Sequence, residues 1–181
     1  MAALVARYGA APFDAPVLQA LHRHATPVLD RLAVLLTIVG NTGPMVAAGV
    51  LTTAALAYLG RRREAWLFAL GVGGSMLLTQ VIKRIAQRPR PDLWSSLRPE
   101  HTFSFPSGHA MDTAALAAAL FFITPPHRRQ WWALAPVFAL GVGWARMYLG
   151  VHFPSDVLGG WSSAVGWVLL VQLAFSRVVS R

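Results

Sequence analysis

Residues 157–176 read VLGGWSSAVGWVLLVQLAFS, twenty consecutive positions without a charged side chain, closed by Arg177. As an α-helix at 1.5 Å per residue the stretch is about 30 Å long, the thickness of a bilayer's hydrocarbon core. Outward from it the pattern repeats. Residues 130–145 are uncharged and end at Arg146; residues 110–125 carry only Asp112; residues 65–82 end at Lys83. Residues 32–60 are also uncharged, broken by the turn-forming run Gly40-Asn41-Thr42-Gly43-Pro44 and closed by Arg61-Arg62-Arg63. With a few polar end residues added, five segments reach spanning length: 43–60, 64–86, 107–124, 130–149 and 154–176.

The expected architecture is all-α, an integral membrane helical bundle of five to six transmembrane helices. The expected division is an N-terminal interfacial or re-entrant helical segment at 1–40 and a membrane-embedded core at 41–181. Residues 26–40 give only about 22 Å of helix and contain Asp30 and Arg31. Residues 13–40 therefore read as interfacial or re-entrant helices, with a short tilted span as the alternative. Residues 1–12 are too short and broken for a signal peptide.

Composition agrees. Of 181 residues 55% are hydrophobic and 13% charged, against about 25% charged in a soluble domain. The formal net charge is +9, and every basic residue but Lys83 is arginine. A basic balance alone would suggest a nucleic-acid partner. The apolar fraction, and arginines spaced between apolar runs, argue against one. Cysteine is absent, which excludes disulfides, thiolate metal sites and cysteine catalysis. Trp66, Trp131 and Trp132 follow basic clusters, where interfacial aromatic residues sit.

The basic clusters also set an orientation. Arg61–Arg63, Arg128-Arg129 and Arg177/Arg181 fall on one side, expected to be cytoplasmic by the positive-inside tendency. Lys83, Arg84, Arg88, Arg90, Arg98 and Arg146 fall on the other. Positive charge held on the outer side requires a bound anion to explain it.

Three segments meet that face: residues 83–91 (KRIAQRPRP), 106–109 (PSGH) and 146–156 (RMYLGVHFPSD). Prolines 89 and 91 end a helix. Pro106-Ser107-Gly108 reads as a helix start whose free N–H groups and dipole favour an anion, with Gly108 allowing close approach. Lys83, Arg90 and Arg146 suit the three non-bridging oxygens of a phosphoryl group. His109 and His152 suit the roles of general acid and nucleophile, and Asp156, four residues after His152, can fix its tautomer. Taken singly, each feature has a plainer reading: a basic residue at a helix end is usually a snorkelling anchor, and Pro-Ser-Gly is usually a turn and cap. Their coincidence at one membrane face carries the argument.

These residues resemble the type-2 phosphatidic acid phosphatase superfamily, which includes bacterial phosphatidylglycerophosphatases and undecaprenyl-diphosphate phosphatases. Lys83 with Arg90-Pro91, then Pro106 to His109, then Arg146 with His152 and Asp156 follow its three motifs in order. The resemblance implies a metal-independent lipid phosphatase needing no cofactor, acting through a phosphohistidine. His152 would be the nucleophile, Asp156 its orienting carboxylate and His109 the general acid and base. Lys83, Arg90, Arg146, Ser107 and Gly108 would bind the phosphate. The substrate would be a lipid phosphate: undecaprenyl diphosphate first, phosphatidylglycerophosphate or phosphatidic acid next. The expected location is the inner (cytoplasmic) membrane, multi-pass, with the site extracytoplasmic. Trp94, Phe103 and Phe105 are candidates for bordering the lipid's way in, and Asp112 for bonding His109 or a head group. Two departures stand out. Ala145 occupies the family's serine position, and no spanning segment precedes the interfacial region, which suggests a five-span variant with its N-terminus outside. Other uses of such a site are a vanadate-dependent haloperoxidase, disfavoured by the short hydrophobic chain, and a lipid transporter with a vestigial site. Oligomeric state is not readable from the sequence.

Overall fold

The computed structural model describes residues 11–179, which contain helices and no strand. In chain order these are α1 (Asp14–Arg23), α2 (Pro27–Val39), α3 (Thr42–Tyr58), α4 (Arg62–Ala86), α5 (Gly108–Ile123), a 3-10 segment (Pro126–Trp132), α6 (Leu134–Tyr148) and α7 (Pro154–Val179). The boundaries have local causes. The Thr26 side chain accepts from the Leu29 N–H at 3.3 Å, with Pro27 at the first helical position of α2. Gln87, at φ +44°, turns the chain out of α4 ahead of Pro89.

All five segments expected to span are helical, but their lengths differ from expectation. Among the described residues only α4 and α7 are long and apolar enough alone, with mean hydropathies of 1.6 and 1.5. Helices α2 and α3 qualify only as a pair, bent by 46° in the manner of a broken span or a re-entrant loop. The N-terminal region is thus two short helices, α1 and α2, with α2 feeding into α3. Helix α5 has 16 residues, about 24 Å. It is stopped by Pro106 on one side and Pro125-Pro126 on the other. It survives at that length because it is the centre of the bundle, packed by α4, α6 and α7.

The core lies along α5, where Met111, Ala115 and Ala119 meet Phe68 and Val72 of α4 and Ala164 and Val168 of α7. Alanines there let neighbouring backbones approach closely. Large apolar side chains instead point outward: Val50 and Leu51 on α3, Leu77 on α4, Val137 and Leu140 on α6, Leu170 on α7. A soluble monomer seldom exposes so much apolar surface, whereas a bilayer covers it.

Two glycines shape the end of the bundle that holds the motifs. A Cβ on Gly160 would stand 2.9 Å from the Ser107 carbonyl oxygen, so only glycine lets α7 lie against the start of α5. Gly150, at φ +68°, reverses the chain after α6 and brings His152 back over the site. The arginines of 61–63 and 128–129 gather at the opposite end, where Arg61 Nη2 donates to the Ile123 carbonyl at 3.0 Å. Arg181 and the side chains of Trp131, Trp132 and Arg177 lie outside the described residues.

Candidate active site

Asp156 sits in the first turn of α7, fully buried. Its Oδ2 accepts from the Ser104 hydroxyl at 2.5 Å and from the Phe153 N–H at 2.8 Å. Its Oδ1 receives Arg88 Nη1 at 2.5 Å. Arg88 Nη2 continues to Asp14 Oδ2 at 2.8 Å, and Asp14 accepts from the Ser155 N–H and hydroxyl at 2.9 and 2.6 Å. The Arg88 guanidinium lies over the Phe153 ring, 4.3 Å from its centroid. A buried carboxylate–guanidinium–carboxylate chain therefore joins the start of α1 to the start of α7. This corrects the expectation that Arg88 belongs with the outer anion-binding cluster: both of its arms are committed to carboxylates.

His152 lies in the turn between α6 and α7. Its Nε2 is 3.1 Å from Arg90 Nη1. A guanidinium can only donate, so Nε2 presents a lone pair. On the other side of the ring, Nδ1 stands 3.6 Å from Asp156 Oδ2. That approach is too long for a hydrogen bond, because Oδ2 is already taken by Ser104 and Phe153. Burial first, then the charges of Arg146, Arg90 and Lys83, hold the His152 imidazole well below its ordinary 6.5. The ring is therefore neutral in the folded protein at physiological pH. The unfolded chain takes up a proton at this position below about 6.5, which the folded chain refuses. Stability is thus expected to fall as pH drops from about 6.5 toward the folded value. The fall should be shallower in His152→Gln, as read from thermal unfolding in detergent between pH 7 and 5.

The three expected phosphate-binding cations converge on residues 100–103. Arg146 Nη2 pairs with Glu100 Oε1 at 2.7 Å. Arg90 donates to the Thr102 carbonyl at 2.6 Å, the Thr102 hydroxyl at 2.9 Å and the Val151 carbonyl at 2.7 Å. Lys83 Nζ donates to the Phe103 carbonyl. Burial pulls Arg90 down to about 10, partly offset by Glu100, which leaves it charged at neutral pH.

Ser107 and His109 frame the first turn of α5. The Ser107 N–H donates to the Asp156 carbonyl at 3.1 Å, which ties this turn to α7. The nearest atom to a Cβ built on Gly108 is Thr79 Cγ2 at 3.7 Å, so no packing inside the chain requires a glycine here. Ser107 Oγ, His109 Nε2, Arg146 Nε and Nη1, and His152 Nδ1 are buried with no hydrogen-bond partner among the described residues. Buried polar atoms are rarely left unpaired without a functional reason. These four residues belong to the motifs; Thr37 Oγ1, Ser75 Oγ, Trp161 Nε1 and Gln172 Oε1 are likewise buried and unpaired and lie outside them.

Other expectations resolve differently. Asp112 accepts from the Thr42 hydroxyl at 3.0 Å rather than bonding His109. Phe105 is buried against Gly159, and Trp94 stacks on His22 at 4.2 Å, so of the three aromatics only Phe103 is exposed. Sequence reasoning missed Asp14, Ser104, Ser155 and Glu100. Asp14 and Glu100 had one usable signal: they are two of only seven acidic residues in a strongly basic chain.

The model of the PAP2 superfamily matches residues 64–179, which contain every residue of the three motifs. The chain belongs to the PAP2 superfamily. Phosphatidylglycerophosphatase B of Bacillus subtilis is 32% identical to this PAP2 chain over 162 residues, 86% of this chain and 79% of that protein. Undecaprenyl-diphosphatase of Sulfolobus acidocaldarius is 34% identical over 93 residues, 48% of this chain and 43% of the relative. Among solved structures, the transmembrane PAP2-type phosphatidylglycerolphosphate phosphatase from B. subtilis superposes with a TM-score of 0.85 at 29% identity. The match covers 98% of this chain and 91% of the other. This PAP2 protein is therefore a membrane protein with phosphatase relatives.

Proposed function

We propose that the protein hydrolyses the terminal phosphate of a membrane lipid through a phosphohistidine on His152. The observation that carries this reading is the His152 geometry. Nε2 offers its lone pair beside Arg90, and Nδ1 faces Asp156. In the first step Nε2 attacks phosphorus in line and the bond to the leaving oxygen breaks. His109 gives that oxygen its proton, and Asp156 stabilises the imidazolium. In the second step His109 takes a proton from water, whose oxygen displaces His152 and releases phosphate. Lys83, Arg90 and Arg146, with Ser107 and the N–H groups at the start of α5, hold the equatorial oxygens. Fixed positive charge and positioning carry most of the catalysis of phosphoryl transfer. Here side chains take the place that metal ions occupy in other phosphatases. Among the described residues, no group of three or more His, Asp or Glu is gathered as a metal site.

The reading of the substrate as a lipid is supported by a cavity of about 320 Å³ beside Lys83, lined by Gln80, Arg84, His101, Thr102 and Phe103. It opens beside the outward-facing surface of α4, where a tail can stay in the bilayer. Undecaprenyl diphosphate is the first candidate and phosphatidylglycerophosphate or phosphatidic acid the next. We place the site on the extracytoplasmic face of the inner membrane, because the arginines of 61–63 and 128–129 lie at the opposite end. The test is phosphate release by purified protein from a panel of prenyl and glycerolipid phosphates, with and without chelator. Release that persists in chelator is expected. No release from any lipid phosphate overturns the reading, and release abolished by chelator overturns its metal independence.

A further inference from the structure

The three cations that the proposed function assigns to phosphate are all engaged by one short segment. Lys83 and Arg90 hydrogen-bond only neutral oxygens there: the Phe103 carbonyl, and the Thr102 carbonyl and hydroxyl. Arg146 hydrogen-bonds a charge, the Glu100 carboxylate, at 2.7 Å. The second Glu100 oxygen lies 4.0 Å from Arg90 Nη2. Burial works against the charged form of Glu100, but the charge and hydrogen bond of Arg146, then His109 and Arg90, overcome it and keep the carboxyl below its usual range. Arg146 is fully buried, and its Nε and Nη1 have no partner among the described residues. One arm of its fork thus carries an internal anion while the rest is left unpaired.

We propose that Glu100 is a built-in competitor for the phosphate pocket, which keeps singly charged phosphodiester head groups from occupying it. The argument is one of exchange. A phosphodiester that displaces Glu100 replaces one negative charge with another and gains no net ion pairing. A terminal phosphate carries close to two charges at neutral pH, so the same exchange leaves a full extra charge facing Lys83, Arg90 and Arg146. A bilayer holds far more phosphodiester lipid than terminal-phosphate lipid. A pocket of three uncompensated cations would therefore be filled by bulk lipid. The inference rests on the proposed function only for the identity of the pocket; it concerns which anions that pocket admits.

The test compares wild type with Glu100→Gln and Glu100→Ala. Glutamine keeps an oxygen for Arg146 but removes the charge. Calorimetric titration with inorganic phosphate needs no turnover, so it is independent of whether a lipid substrate has been found. Both variants are expected to bind phosphate about tenfold more tightly than wild type, the size of a charge-assisted hydrogen bond no longer competed for. Phosphatidylglycerol in mixed micelles, at a mole fraction that leaves wild-type phosphate release unchanged, is expected to inhibit Glu100→Gln competitively. If Glu100 merely holds Arg146 in place, Glu100→Gln binds phosphate as wild type does and Glu100→Ala binds it more weakly; either result overturns the proposal. Tighter phosphate binding without inhibition by phosphatidylglycerol overturns the selection against phosphodiesters. Failure of the wild-type protein to release phosphate from any lipid would count against the proposed function, not against this competition.

Discussion

Replacing His152 with alanine is expected to lower phosphate release by roughly 10⁴-fold or more, the scale seen when a nucleophile or its partner is removed from a catalytic unit. The loss should fall on kcat. Lys83, Arg90 and Arg146 remain, so binding of inorganic phosphate should survive, and it should strengthen slightly if the ring crowds the anion. Rapid quenching of wild type with a ³²P-labelled lipid phosphate should trap acid-labile, base-stable radioactivity on the protein, absent in His152→Ala. His109→Ala loses both the acid of the first step and the base of the second; with a phosphate ester whose leaving group needs no proton, it should instead accumulate the label. Substantial turnover in His152→Ala would remove the nucleophile from its place.

The second large effect is on stability. Arg88→Ala leaves two fully buried carboxylates, Asp14 and Asp156, without the guanidinium between them. Removing one member of a buried ion pair costs about 3–5 kcal/mol, and here a single side chain serves two acids. Thermal unfolding in detergent should show the loss directly. Asp14→Asn should cost less, since the Ser155 hydroxyl and N–H can still reach the amide oxygen. The two changes should be non-additive, because they share a network. Equal stability of Arg88→Ala and wild type would mean that the chain of charges contributes nothing net. Activity should fall as well, since Asp156 would be free to turn its Oδ1 away from the position that leaves Oδ2 toward His152.

What could be read from the sequence, and what could not, divides along physical lines. Charge-free runs located α3 to α7 to within four residues at each start, because lipid-facing and core-facing residues are both apolar and only ends carry charge. The motif residues stood out because prolines and glycines mark where the chain must turn at that end of the bundle. Helix length was less legible: α5 and α6 fall short of a full span, and the sequence does not show that α5 is shielded from lipid by its neighbours. The buried charge chain was not legible at all. Asp14 and Ser155 are 141 residues apart, Arg88 and Asp156 are 68 apart, and no periodicity encodes such pairings. Glu100 was hidden for a related reason. It lies in a long connection without regular structure, where only the fold decides which side chain meets Arg146.

The short central helix has one more consequence. Its first residue, Gly108, is level with Thr79 of α4, since a Cβ built there would touch the Thr79 methyl at 3.7 Å. From Thr79, helix α4 continues seven more residues to Ala86, about 10 Å. The start of α5 is thus sunk about two helical turns beneath the rim of the bundle. On the proposed function a head group would descend to it with its tail still in the bilayer, so the molecule need not quit the membrane to react. Encounter would then happen in two dimensions. The concentration that governs the rate is the mole fraction of substrate among its neighbours in the leaflet, so adding inert lipid slows the reaction even when the amount of substrate per volume is unchanged.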